Sequence, residues 1–372
     1  MHHRLAPVLL AASLAAGCGT QPPPAAADAP PDRRHHRDGT FQNRYVEFAT
    51  QGTLAFWRWR LAAWRDGLPP PPTTPIPAVT PDRAFIAANA KAGAAMRPAA
   101  TWIGHATVLV QVGGLNVITD PIFSERASPL SFAGPLRHQP PALALGELPR
   151  IDAVLLSHNH YDHADVDSLR ALARQGGGEP LFVVPLGLSP LLADAGATRI
   201  AELDWWQSVT LAGASGPVEI VLTPVQHWSG RRLDDRMRTL WGGFALFAPD
   251  AHVYFSGDTG YSPDFADTRA RFASRQAAAR GGPFDLALLP IGAYEPRWFM
   301  QPQHMNPDEA VRAHLDLGAR MSLGIHWGTF GLSDEPLDRP PRDLAAALAS
   351  RGMRDDAFVT LPIGGTLRIR PR

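Results

Sequence analysis

From residue 101 onward the chain alternates short apolar runs with polar turns. Val108, Val110 and Val112 recur at every second position, Gly113 and Gly114 follow, and "LNVITD" brings the chain back. Period-2 spacing on either side of a glycine pair predicts a β-hairpin. "IDAVLLS", "VEIVLTPVQ", "HVYFSG", "DLALLPI" and "MSLGI" are short, β-branched and almost wholly apolar. A strand without a polar face belongs in a sheet covered on both sides. Two segments change period. "NPDEAVRAHLDLG" offers Asn306 as cap, Pro307 at the first helical position, Glu309 to complete a capping box and Gly318 at the end. "DVDSLRALARQ" predicts a second helix. Strands interleaved with such helices predict an α/β fold in which helices flank sheet.

The first hundred residues follow another logic. A basic start, an apolar run from Leu5 to Leu14 and "LAAGC" ending at Cys18 open the chain. The run is far shorter than the ~20 residues needed to cross a bilayer, so residues 1–18 read as an export signal. "LAAGC" resembles a bacterial lipobox, which implies a diacylated Cys18, attachment to a membrane, and a lipoprotein on the periplasmic face of the envelope, with the outer membrane as the expected location. Residues 19–40 are rich in Pro, Ala and charge, which predicts a flexible linker with His35 and His36 solvated. Residues 41–100 form an aromatic extension. Phe41, Tyr45, Phe48, Phe56, Trp57, Trp59 and Trp64 stand among arginines, as in helices packed on a main domain or in a surface that meets lipid headgroups. "LPPPPTTPIPAVTP" then breaks any helix, and residues 101–372 form the catalytic domain.

Composition narrows the choice of partner. Lys plus Arg equals Asp plus Glu at 35 each, so no basic footprint for nucleic acid exists. A single cysteine excludes an intramolecular disulfide. The sequence leaves the oligomeric state open.

Against that neutral background, "LLSHNHYDHAD" sets three histidines and two aspartates in eight positions, from His158 to Asp165, directly after an apolar run. Imidazole and carboxylate are the ligands that divalent ions prefer, and crowding them at the end of a buried strand is costly unless their charges are compensated. Other buried runs end the same way. "VLTPVQ" leads to His227, "VYFSG" to Asp258 and "SLGI" to His326. Ligands in α/β sheets gather over the carboxyl ends of strands. With His158, His160, Asp162 and His163, these residues make one set of seven candidate metal ligands.

"SHNHYDH", followed by "QHW", "SGDTG" and "IHWGTF", resembles the metallo-β-lactamase superfamily, whose fold is an αββα four-layer sandwich. "TWIGHATVLVQ", "ITDPIFSERASP", "QHWSGR" and "LWGGF" further resemble its N-acyl-phosphatidylethanolamine phospholipase D branch. The resemblance covers about residues 95–345 and implies two zinc ions. His158, His160 and His227 would hold one, Asp162, His163 and His326 the other, and Asp258 would bridge them. Iron and manganese suit the same donors. Asp162, Asp258 and His304 form the expected catalytic set, His304 because it lies just ahead of a helix N-terminus beside the substrate. His105 and Asp120 are expected behind the ligands, orienting them, and His138, His252 and His314 at the surface.

The implied activity is hydrolysis of N-acyl-phosphatidylethanolamine to N-acylethanolamine and phosphatidate, the metals supplying the activated water. No Gly-x-Ser-x-Gly elbow competes, because Leu191 stands where "GLSPL" would need its second glycine. Two alternatives remain at this stage: the same centre hydrolysing a lactone or β-lactam carbonyl, and a non-catalytic envelope lipoprotein with a structural metal site. The expected anchor has a direct test. Cys18→Ser should move the protein from the membrane to the soluble fraction of its native host, and a mutant that stays on the membrane would contradict lipidation as the anchor.

Overall fold

The computed structural model describes residues 33–46, 52–232, 234–277 and 282–372. The expected signal peptide, Cys18 and the linker up to residue 32 lie outside the described residues. In chain order the strands are β1 (His36–Arg37), β2 (Thr40–Phe41), β3 (Ala99–Gly104), β4 (Thr107–Val112), β5 (Leu115–Thr119) and β6 (Ala153–Leu155). There follow β7 (Leu181–Pro185), β8 (Ile200–Leu203), β9 (Ser208–Gly213), β10 (Gly216–Thr223) and β11 (Gly243–Phe247). The last are β12 (His252–Phe255), β13 (Leu286–Pro290), β14 (Ser322–Ile325), β15 (Phe358–Val359) and β16 (Thr366–Arg368). The helices are α1 (Thr53–Arg65), α2 (Arg83–Ala90), α3 (Val166–Ala173), α4 (Ser189–Asp194), α5 (Asp264–Arg271), α6 (Arg297–Met300), α7 (Pro307–Leu317) and α8 (Pro340–Ser350).

Alternation within the strands decides the layering. Val108, Val110, Val112, Val117, Leu155 and Val183 share a core with Val218, Ile220, Leu222, Phe244 and Leu246. The intervening Leu109, Ile118, Val154, Phe182 and Val184 turn the other way, onto Ile86 of α2, Leu169 and Leu172 of α3, and Leu192 of α4. Two seven-stranded sheets result, ordered β16-β3-β4-β5-β6-β7-β8 and β15-β14-β13-β12-β11-β10-β9. They face each other across the first core, while helices cover their outer faces. This is the αββα sandwich. Each large aliphatic side chain so buried contributes roughly 1.5–3 kcal/mol, which is why apolar residues occupy both faces. The predicted hairpin is β4–β5, in register Val110 to Val117. Helix α7 begins at Asn306, whose side chain accepts from the Glu309 N–H, and ends at Gly318 with φ 68°.

Topology puts the ends that matter on one edge of each sheet. β3 and β5 are both antiparallel to β4, and β5 is parallel to β6. β10 and β12 are both antiparallel to β11, and β12, β13 and β14 are parallel. The carboxyl ends of β3, β5, β6, β10, β12 and β14 therefore collect the residues that follow them.

The N-terminal region departs from expectation. His35 is buried, not solvated: its Nε2 lies 2.6 Å from Asp204 Oδ1, and His36 Nε2 lies 2.8 Å from Asp204 Oδ2. Residues 33–41, within and beside the stretch expected to be a flexible linker, form a turn and the β1–β2 hairpin. Composition missed this because the contacts come from a residue 169 positions away. Helix α1 packs through Trp59, which meets Phe299 at 4.7 Å and donates to Asp334 Oδ2 at 2.9 Å. Its Leu54, Trp57, Leu61 and Trp64 stay exposed. Among the described residues no helix is long and apolar enough to cross a membrane. His138 is at the surface, as expected. His252 and His314 are not. His314 is buried on α7 with Nδ1 2.8 Å from Ser322 Oγ of β14, and the His252 ring packs on Phe247 at 4.9 Å.

Candidate metal centre

His105 follows β3, Asp120 follows β5, the 158–163 loop follows β6, His227 follows β10, Asp258 follows β12 and His326 follows β14. The two sheet edges meet here, and all seven candidate ligands come together. His158 Nε2 lies 2.8 Å and His227 Nε2 3.3 Å from His160 Nδ1. His163 Nε2 and His326 Nε2, 3.3 Å apart, each lie 3.3 Å from Asp162 Oδ2. Asp258 stands between the groups: Oδ1 is 3.1 Å from His326 Nε2, while Oδ2 is 3.0 Å from His163 Nε2 and 4.0 Å from His227 Nε2. His158, His160 and His227 thus lie as one cluster and Asp162, His163 and His326 in a neighbouring one.

Behind the ligands, acceptors fix the imidazole tautomers. Asp120 Oδ2 accepts from His163 Nδ1 at 2.6 Å and from Ser157 Oγ at 2.6 Å, and its Oδ1 accepts from the Ser157 N–H at 2.7 Å. Ser157 Oγ in turn accepts from His158 Nδ1 at 2.8 Å. The Gln303 carbonyl accepts from His227 Nδ1 at 2.9 Å. With Nδ1 protonated, His158, His163 and His227 all present a bare Nε2 to the centre, as metal ligation requires. Arg231 holds the ligand loop by donating to the carbonyls of Asn159 and Ala164 at 2.9 and 2.8 Å, with its guanidinium over the Tyr161 ring.

Electrostatics divides the centre in two. Burial drives the histidine pKa values down: His158 falls well below the usual range, and His160, His227 and His304 fall to about 3. A neutral imidazole is the form that binds a metal. Burial also opposes charge on His163 and His326, but Asp258 and Asp162 outweigh it and draw both upward, His326 to about 9. Asp162 and Asp258 feel burial pushing up, yet the imidazoles, His163 foremost, hold both carboxyls well below the usual range. That half of the centre calls for positive charge, which a divalent ion supplies. His304 Nδ1 is buried without a hydrogen-bond partner, so its lone pair also suits an ion or a ligand. The donor set fits a metal centre of imidazole and carboxylate.

The other expected residues take definite places. His304 Nδ1 is 3.8 Å from Asp258 Oδ2. Asp120 is hydrogen-bonded to the candidate ligand His163. His105 Nε2 donates to Asp162 Oδ2 at 3.0 Å, and its ring lies 4.0 Å from that of His326. Sequence reasoning missed Ser157, Gln303 and Arg231. Ser157 and Arg231 stand inside the quoted motifs "SHNHYDH" and "QHWSGR", whereas Gln303 acts through its main chain and left no side-chain signal.

Residues 115–327, more than half of the chain, match the family described as Beta-lactamase superfamily domain. The chain belongs to that superfamily. Among its relatives is an N-acyl-phosphatidylethanolamine-hydrolyzing phospholipase D of Caenorhabditis elegans, 41% identical over 71% of this chain and 74% of its own. An uncharacterized protein of Mycobacterium tuberculosis is also 41% identical, over 84% of this chain and 79% of its own. The fold matches that of an isothiocyanate hydrolase from Delia radicum gut bacteria, with a TM-score of 0.57 at 20% identity, covering 73% of this chain and 99% of that one. The chain is thus a metal-dependent hydrolase of the beta-lactamase superfamily. If Asp120 orients the ligands, Asp120→Asn should weaken metal retention roughly 10–100-fold in competition with a chelator. Retention equal to that of the wild type would contradict the role.

Proposed function

We propose that this hydrolase is a phosphodiesterase of the phospholipase D type that cleaves N-acyl-phosphatidylethanolamine to N-acylethanolamine and phosphatidate, with two zinc ions in the centre described above. The observation that carries the reading is the 41% identity to the nematode phospholipase D. Divalent ions held by the seven ligands would acidify a water and neutralise charge on phosphoryl oxygens. The protein's own residues do the rest. Ser157, Asp120 and the Gln303 carbonyl keep three imidazoles aimed inward. Asp258 faces both ligand groups, which suits it to bridge them and to orient water. His304, buried and unpartnered at Nδ1, is assigned a hydrogen bond to the phosphoryl or leaving group.

A lipid substrate accounts for a feature that a small soluble substrate would not. Helix α1 packs on Phe299 and Met300, just before His304, and leaves Leu54, Trp57, Leu61 and Trp64 exposed. Beside them a groove of about 960 Å³ is lined by Trp59, Leu61, Trp64, Leu68 and Trp298, with Arg58 and Arg65 at its side. Apolar patches of this kind mark contact with lipid or with other apolar partners. An anchor at Cys18 on the periplasmic face of the envelope would keep that surface near a bilayer.

The bond that breaks provides the test. Attack of water on phosphorus puts solvent oxygen into phosphatidate, whereas attack on carbon puts it into the alcohol. Hydrolysis of N-acyl-phosphatidylethanolamine in heavy-oxygen water, read by mass spectrometry, should label the phosphatidate. Label in the ethanolamide would refute attack at phosphorus. Turnover of lactones with none of any phosphodiester lipid would replace this reading by the lactonase one.

A further inference from the structure

Asn43 lies in the N-terminal extension, yet its side chain is buried against a residue 184 positions away. Its Nδ2 donates to the His227 carbonyl at 2.9 Å, and its Oδ1 accepts from the His227 N–H at 3.0 Å. One amide therefore takes both main-chain polar groups of a candidate metal ligand. No other hydrogen bond to these two groups occurs among the described residues, because β10 ends at Thr223 and His227 has no strand beside it. His227 is fully buried, so its two main-chain groups depend on Asn43 for their partners. With Gln303 holding the ring, main chain and imidazole are both fixed. His158 is held by other means, through Ser157 and Asp120.

The segment that presents Asn43 is tied down on either side of it. Before it, His35 and His36 donate to the two oxygens of Asp204, which follows β8, and the His35 ring stacks on Trp205 at 4.3 Å. His35, His36 and Asp204 are metal-type residues, but each imidazole N–H already meets a carboxylate oxygen, so the cluster works as a latch without an ion. The Phe41 N–H donates to the Met237 carbonyl at 2.7 Å. After Asn43, Arg44 Nη1 reaches Asp264 at 2.8 Å and Asp267 at 2.7 Å, both in α5. The segment thus crosses from the end of the first sheet to a helix behind the second, and Asn43 meets His227 between the two anchors.

We propose that residues 33–46 form a strap that completes the metal centre, with Asn43 as the positioning residue for His227. The strap governs metal retention by the His158, His160 and His227 group and leaves the Asp162, His163 and His326 group unaffected. The proposal rests on reading these residues as metal ligands. A ligand whose main chain is released must be re-ordered each time it binds, and supporting residues of this kind typically change metal affinity roughly 10–100-fold.

The test is zinc titration of the full-length, metal-stripped protein against a chromophoric chelator, for wild type, Asn43→Ala and Asp204→Ala. Asn43→Ala should weaken one binding event roughly 10–100-fold and leave the other as in the wild type, beside the lower melting temperature that losing two buried main-chain hydrogen bonds brings to the metal-free protein. Asp204→Ala, which unlatches the strap far from the ligands, should weaken the same event by less. Wild-type affinity at both positions in Asn43→Ala would overturn the strap. Equal weakening of both events would also overturn it, by showing that Asn43 serves only the fold. A wild-type protein that binds no divalent ion would instead bring down the metal-centre reading itself.

Discussion

The centre depends on one buried carboxylate. Asp120 is wholly inaccessible, and its two oxygens take the Ser157 N–H, the Ser157 hydroxyl and the His163 imidazole. Through His163 it orients one ligand group directly. Through Ser157, whose oxygen accepts from His158, it orients the other. A buried anion is tolerated only where hydrogen bonds replace its water, and three donors at 2.6–2.7 Å do so here. The arrangement makes both ligand groups answer to a single side chain.

Bringing two sheet edges this close imposes a cost on the backbone. His105, Asp120 and His326 take φ values of 54°, 31° and 65°, in the left-handed region that costs about 1–3 kcal/mol per residue other than glycine. Each is held there by its neighbours. The His326 N–H donates to the His105 carbonyl, the His105 N–H to Thr329 Oγ1 and the Asp120 N–H to the Leu155 carbonyl. Gly257, just before Asp258, shows how tight the contact is: with φ 59°, a Cβ there would lie 2.4 Å from that of Ser157. The two sheet edges are therefore in close contact at the residues that precede His158 and Asp258.

Much of this was legible in the sequence because it obeys local rules. Alternation at Val108, Val110 and Val112 gave the hairpin, Asn306 and Gly318 marked the ends of α7, and apolar runs ending in histidine or aspartate marked the strand ends that converge. Resemblance of the motifs divided the ligands into groups before any distance was known. What stayed hidden depends on contacts between distant segments. His35 looks like a linker residue until Asp204 is found beside it, His314 looks solvated until α7 is laid on β14, and Gln303 contributes only a carbonyl. Asn43 has no sequence signature at all, since an asparagine that caps a ligand's main chain looks like any other asparagine.

The two candidate ligand groups differ in their electrostatics. Burial keeps one group of imidazoles neutral, while carboxylates draw the other group toward positive charge, so the two groups offer different environments a few ångströms apart. Asp258 faces both, and on that carboxylate rests the claim that they act as one centre. The most direct measurement is anomalous diffraction at the zinc edge from crystals of the zinc-loaded protein. Two peaks are expected, one within bonding distance of His158, His160 and His227 and the other of Asp162, His163 and His326, with Asp258 bound to both. A single peak, or two peaks that Asp258 does not join, would contradict the claim of one centre.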